Sequence, residues 1–97
     1  MSHWEKSEIN LGIIKAGSPK KIIFRSLESV PTIKLILPYC GCTATKYDEQ
    51  TKELVITYSN SNIPDQVQGA QSVTKRVDIQ YEDGTTEILT IKATRIR

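Results

Sequence analysis

The chain has 97 residues, 38% of them hydrophobic and 25% charged, and thirteen basic against eleven acidic side chains leave a formal charge of +2. That length suits one small domain, and the near-neutral balance excludes the dense Lys/Arg stripe with which nucleic-acid binders meet phosphate. No apolar run reaches the length of a membrane-crossing helix, and only four prolines and five glycines in so charged and apolar a mixture argue against a wholly disordered chain.

Met1 to Glu8 is polar and mixed in charge, with no apolar run behind it, so no secretory signal is expected. Residues 1–8 read as a tail and 9–97 as the folded domain. From Ile9 onward the period is two, the pattern of strands with one face in a core. Ile9, Leu11 and Ile13 alternate, and Ala16-Gly17-Ser18-Pro19 supplies a turn. Lys20 to Leu27 follows with Ile22 and Phe24 on one face. After a break at Glu28 to Pro31 comes a stripe of Ile33, Leu35 and Leu37. Thr43 to Tyr47 reads as a short strand, closed by the polar turn Asp48 to Lys52. Leu54, Ile56 and Tyr58 make another strand.

The segment 59–71 is the longest loop, polar and interrupted by Pro64 and Gly69. The clearest pattern comes last. Val77, Ile79 and Tyr81 share a face, Asp83-Gly84 marks a hairpin turn, and Leu89, Ile91 and Ala93 return. No window has a helical period. Six or seven short strands on a chain this long predict an all-β domain, a β-sandwich with a small barrel as the structural alternative.

Two places carry a family resemblance. Ile9 to Gly17 is a hydrophobic stripe with Gly12 and Gly17 set along it, and Cys40-Gly41-Cys42-Thr43 follows the strand Ile33 to Leu37. In that order they resemble the bacterial family known as domain of unknown function 1573, whose members are similar to the immunoglobulin-like domains of the ASH and Hydin group. The family's Asn-x-Gly turn is replaced here by Ser26 to Val30, and its Pro-Gly pair is missing from Asp48 to Glu53. The resemblance implies a single immunoglobulin-like β-sandwich of about seven antiparallel strands, with Cys40, Gly41, Cys42 and Thr43 as a structural corner. It also implies a module that binds or builds rather than catalyses. Small chains of this class are common in tailed-phage particles as decoration or connector subunits. A virion, if the chain is phage-encoded, therefore stands beside the cytoplasm as the expected location.

The chemistry-bearing residues fit that expectation. Cys40 and Cys42, two apart on extended backbone, point the same way; they could hold a metal or form a strained disulfide, but reduced thiols at a tight corner are the plainer reading. A tetrahedral zinc site needs four ligands, and the chain's one histidine, His3, stands in the polar tail. His3 is a poor general base unless something orders it. The acidic pairs Asp48-Glu49 and Glu82-Asp83 offer too few oxygens for calcium. No catalytic residue, metal or cofactor is expected, and neither nucleic acid, membrane nor small molecule is the expected partner.

Protein partners are expected instead, as fellow subunits of a large assembly. Trp4 has two readings of equal weight: it folds back to cap the sandwich, or with His3 it anchors the tail in a partner's groove, tryptophan being enriched at binding hot spots. The long loop is the other candidate contact surface, with Tyr58, Asn60, Asn62, Asp65, Gln66 and Gln68 as its contact residues. A cytoplasmic adaptor with one soluble partner, or a thiol-based metal or redox module, are the alternatives.

Overall fold

A computed structural model describes residues 3–38, 43–60 and 69–96. These residues form seven strands and no helix: β1 (Glu8–Lys15), β2 (Lys20–Arg25), β3 (Ile33–Pro38), β4 (Thr43–Asp48), β5 (Glu53–Tyr58), β6 (Gln71–Tyr81) and β7 (Thr86–Ile96). They make two sheets, one in the order β1-β7-β6-β3 and the other β2-β5-β4. The architecture is all-β and sandwich-like, with one core between the sheets. Ile22, Phe24, Leu54 and Ile56 from the smaller sheet meet Val77, Ile79, Leu89 and Ile91 from the larger, and each is at most 3% exposed. Burial of each such side chain contributes about 1.5–3 kcal/mol.

The β6–β7 hairpin forms as its pattern predicts. Tyr81 donates its backbone N–H to Thr85 O at 2.9 Å, and Gly84, at φ +88°, returns its own to Tyr81 O at 3.1 Å. Asp83 Oδ1 accepts the Thr85 backbone N–H at 2.9 Å and its hydroxyl, and these two bonds hold the Asp83 carboxyl below its ordinary range. In the β4–β5 turn Asp48 Oδ1 likewise accepts the Gln50 N–H at 2.9 Å. Both aspartates cap their own turns, as short carboxylates commonly do.

Three expectations are corrected. First, the strands are not all antiparallel: β1 runs parallel to β7, from Glu8↔Thr90 to Lys15↔Ile96. Hydrophobic alternation encodes which face a residue takes and nothing about strand direction, and no turn links β1 to β7. Second, Ile13 is not inward. Three steps from Asn10 to Ile13 face two on β7, a bulge that turns Ile13 out to 72% exposure and brings Ile14 in at 8%. Gly12 makes the bulge at φ +72°, its N–H held by Asn10 Oδ1 at 2.8 Å. Third, Leu35 and Leu37 are not a core stripe. Ile33 faces Tyr81 and Leu35 faces Gln80, so one extra residue, Lys34, stands on β3. Beyond it the faces exchange: Ile36 and Pro38 are half-buried, while Leu35 and Leu37 are 45% and 40% exposed.

The tail–domain boundary after residue 8 also shifts in meaning. β1 begins at Glu8, and Trp4 is 3% exposed within the core.

Candidate interaction surface

The residues singled out in the sequence fall at opposite ends of the molecule. At one end His3 and Trp4 lie back along β2. Trp4 forms an isolated antiparallel bridge with Ser26, flanked by Glu5 N–H to Arg25 O at 2.9 Å and Leu27 N–H to His3 O at 2.8 Å. The indole caps the core, one of the two readings open for it, and is therefore not presented to a partner. Its Nε1–H donates to the Tyr81 hydroxyl at 2.8 Å, and that hydroxyl donates to Glu87 Oε1 at 2.8 Å. Glu87 Oε1 also accepts the His3 backbone N–H at 3.0 Å. The His3 ring stands edge-on to Tyr81, centroids 5.3 Å apart, and Trp4 meets Tyr47 in the same way at 5.9 Å. Tyr47 and Ser26 hydroxyls are bonded at 2.9 Å.

Burial, and then the hydrogen bond to Glu87, push the Tyr81 hydroxyl pKa well above its ordinary value, the Trp4 N–H opposing them. The phenol stays neutral and keeps its proton for Glu87. This is a structural network: Trp4's one polar atom is satisfied where its rings are buried.

The other end holds Tyr58, Asn60 and Thr43. Tyr58 is 3% exposed, paired across the sheet with both Lys20 and Thr43, and the Lys75 ammonium lies 5.6 Å from its ring centre. Asn60 is fully buried at φ +46°. Its amide Nδ2 donates to Lys15 O at 2.9 Å and Ser18 O at 2.6 Å, while its own carbonyl accepts the Gly17 N–H at 2.9 Å. Asn60 thereby fastens the β1–β2 turn, and its side chain, like that of Tyr58, is turned inward rather than offered to a partner.

Asn62, Asp65, Gln66 and Gln68 lie outside the described residues, as do Tyr39, Cys40, Gly41 and Cys42. Thr43, next after Cys42, opens β4 and is buried. It stands at the far end of its strand from Asp48, and His3 lies near the Asp48 end, where Glu53 faces both Asp48 and Arg25. Among the described residues, no group of three or more His, Cys, Asp or Glu could hold a metal ion, and no helix is long and apolar enough to cross a membrane.

The surface the pattern missed is the outer face of the larger sheet at β3. Leu37 pairs with Asp78, and Asp78 with Ile88, so the three stand in one row, and Leu35 stands beside Leu37 on the same face. Leu35, Leu37 and Ile88 are 45%, 40% and 48% exposed. A signal was present. Leu35, Ile36 and Leu37 are consecutive, as are Ile88 and Leu89, and consecutive strand residues cannot share a face. One face of each pair had to carry an apolar side chain outward.

β3 is also an edge of its sheet. The other edges are guarded differently: β1 by its glycine bulge, β2 by the Trp4–Ser26 bridge, and β4 by exposed Lys46 and Asp48. No protein-family model matches the chain, and no curated protein does.

Proposed function

We propose that this chain is a non-catalytic, immunoglobulin-like protein-interaction module that serves as a small subunit of a larger assembly, a phage particle being the most specific version. In a seven-stranded immunoglobulin sandwich the second, fifth and fourth strands share one sheet and the third, sixth and seventh share the other. The order β2-β5-β4 against β7-β6-β3 supports that reading, with β1 added beside β7. The family resemblance around Ile9 to Gly17 and Cys40 to Thr43 points the same way.

The observation that carries an interaction role is the set of exposed apolar side chains on the outer face at β3. Leu35 and Leu37 stand side by side in water on an edge strand, with Ile88 across Asp78 from Leu37, and side chains of that kind gain most from being covered by another protein. Chemistry of the acid–base or nucleophilic kind has no comparable support: at the Trp4 end Tyr81 and Glu87 are bonded to one another and the His3 ring packs edge-on against Tyr81.

The test is the company the native chain keeps. Gentle extraction, sedimentation and mass spectrometry are expected to find it in a large particle, beside that particle's major proteins. A chain sedimenting alone near its own 10.9 kDa sinks the subunit reading, and one travelling with a single soluble protein replaces it with the adaptor role.

A further inference from the structure

Leu35 and Leu37 stand at the very rim of the larger sheet, on β3, whose outer side no described strand pairs. We infer that β3 pairs antiparallel with β3 of a second copy of this chain, about a two-fold axis at Ile36, joining the two larger sheets into one of eight strands. This deepens the proposed function by naming the partner, and rests on its claim that the β3 face is a contact surface.

Three observations select a second copy. The first is apolar self-complementarity. A two-fold at Ile36 sets each Leu35 opposite the second copy's Leu37 on the outer face, so both leucines of each chain are covered. Those are the two most exposed hydrophobics of β3.

The second is charge. The β3 bulge leaves Lys34 exposed at one end of the strand, while Asp78 stands beside Leu37 toward the other. In the proposed register Lys34 lies opposite the second copy's Pro38, one residue along and one strand across from the second copy's Asp78. Strand spacing and rise place the two Cα atoms about 10 Å apart, a gap that lysine and aspartate side chains close together. The two-fold makes this pair twice.

The third is the contrast among edges. Lys34 and Pro38 flank Leu35 to Leu37, which bear no charge or bulge, and no strand among the described residues pairs their outer side. Natural sheets leave such an edge open chiefly where something pairs with it.

Sedimentation across a wide concentration range tests the inference, with circular dichroism confirming the fold of each variant. The wild-type chain is expected to pass from monomer to dimer as concentration rises, and Leu37→Glu, an exposed position, to stay monomeric. Ile13→Glu, at a still more exposed position on the opposite edge, is expected to dimerise normally. Lys34→Asp and Asp78→Lys are each expected to weaken the dimer about tenfold, two pairs being lost at once, and the double swap to restore it.

A wild-type monomer at every concentration overturns the pairing, as does a dimer indifferent to Leu37→Glu or a double swap no tighter than its single changes. A monomer found inside a large particle overturns the pairing alone. A dimer found with no larger assembly upholds the pairing and removes the subunit role.

Discussion

The two ends of this sandwich are closed by different means. At one, Trp4 places a large apolar ring system in the core and satisfies its single N–H on Tyr81. At the other, Asn60 contributes little apolar surface and works by geometry, tying the carbonyls of Lys15 and Ser18 while its Oδ1 has no partner among the described residues. An indole adds burial energy to a hydrogen bond. A buried amide only offsets the cost of the groups it satisfies. The Trp4 end should therefore be the more expensive to damage, and the Asn60 end the more dependent on backbone shape.

Substitution measures that difference. Trp4→Ala is expected to cost about 3–5 kcal/mol in urea unfolding, since it opens a cavity and removes the donor to Tyr81. Against the roughly 5–15 kcal/mol that holds a domain folded, that is a large share of the total. A loss under ~1 kcal/mol would mean the segment around Trp4 is not part of the cooperative unit.

Asn60→Ala is expected to cost about 2–3 kcal/mol, from two carbonyls left without a donor and a non-glycine residue kept at φ +46°. Asn60→Gly should recover about 1 kcal/mol of this by relieving the backbone alone. If the two variants unfold at the same urea concentration, backbone strain is no part of Asn60's role.

Tyr81→Phe keeps the ring and removes the hydroxyl, leaving the Trp4 and Glu87 groups without their shared partner, for about 1–2 kcal/mol. It should also change the response to alkali. The Tyr81 pKa is raised above 10.0 in the folded state, so above pH 10 the unfolded chain loses this proton while the folded one keeps it. That part of the stability is complete below pH 10 and declines as pH climbs toward the folded value. Thermal melts of wild type and Tyr81→Phe should converge as pH rises beyond 10; a constant difference would show that the hydroxyl titrates normally.

The smallest effect belongs to neither end. Gly12→Ala meets no atom within 4 Å but must hold φ +72°, for about 1 kcal/mol, measured in the same urea series.

What could be read from the residues, and what could not, divides along physical lines. Val77, Ile79 and Tyr81 against Leu89, Ile91 and Ala93 were legible because strict alternation on both sides of an Asp-Gly turn leaves one register that buries both sets. Ile13, Leu35 and Leu37 were misplaced because one extra residue reverses every face beyond it, and a bulge leaves no mark in a period-two pattern unless a glycine such as Gly12 signals it. Lys34 gave no such signal. The partner of Trp4 was out of reach for another reason. Tyr81 lies 77 positions away, and only the closing of the sandwich brings the two together. The inward turn of Tyr58 and Asn60 was hidden similarly: tyrosine and asparagine beside a polar loop look like contact residues until the core takes in the Tyr58 ring and the β1–β2 turn needs the Asn60 amide.

The parallel run of β1 beside β7 gives the molecule a mechanical character. His3 is fastened at one end of the sandwich and Ile96, facing Lys15, at the other, along a body 46 Å long. A pull between them drags β1 and β7 past each other lengthwise, so their backbone hydrogen bonds bear the load together instead of opening one by one. Stretched between two handles, single molecules are expected to resist until the β1–β7 seam gives way in one step. A gradual lengthening at low force would show the load running elsewhere. A domain wired in this way meets a pull along its length with its whole β1–β7 seam at once.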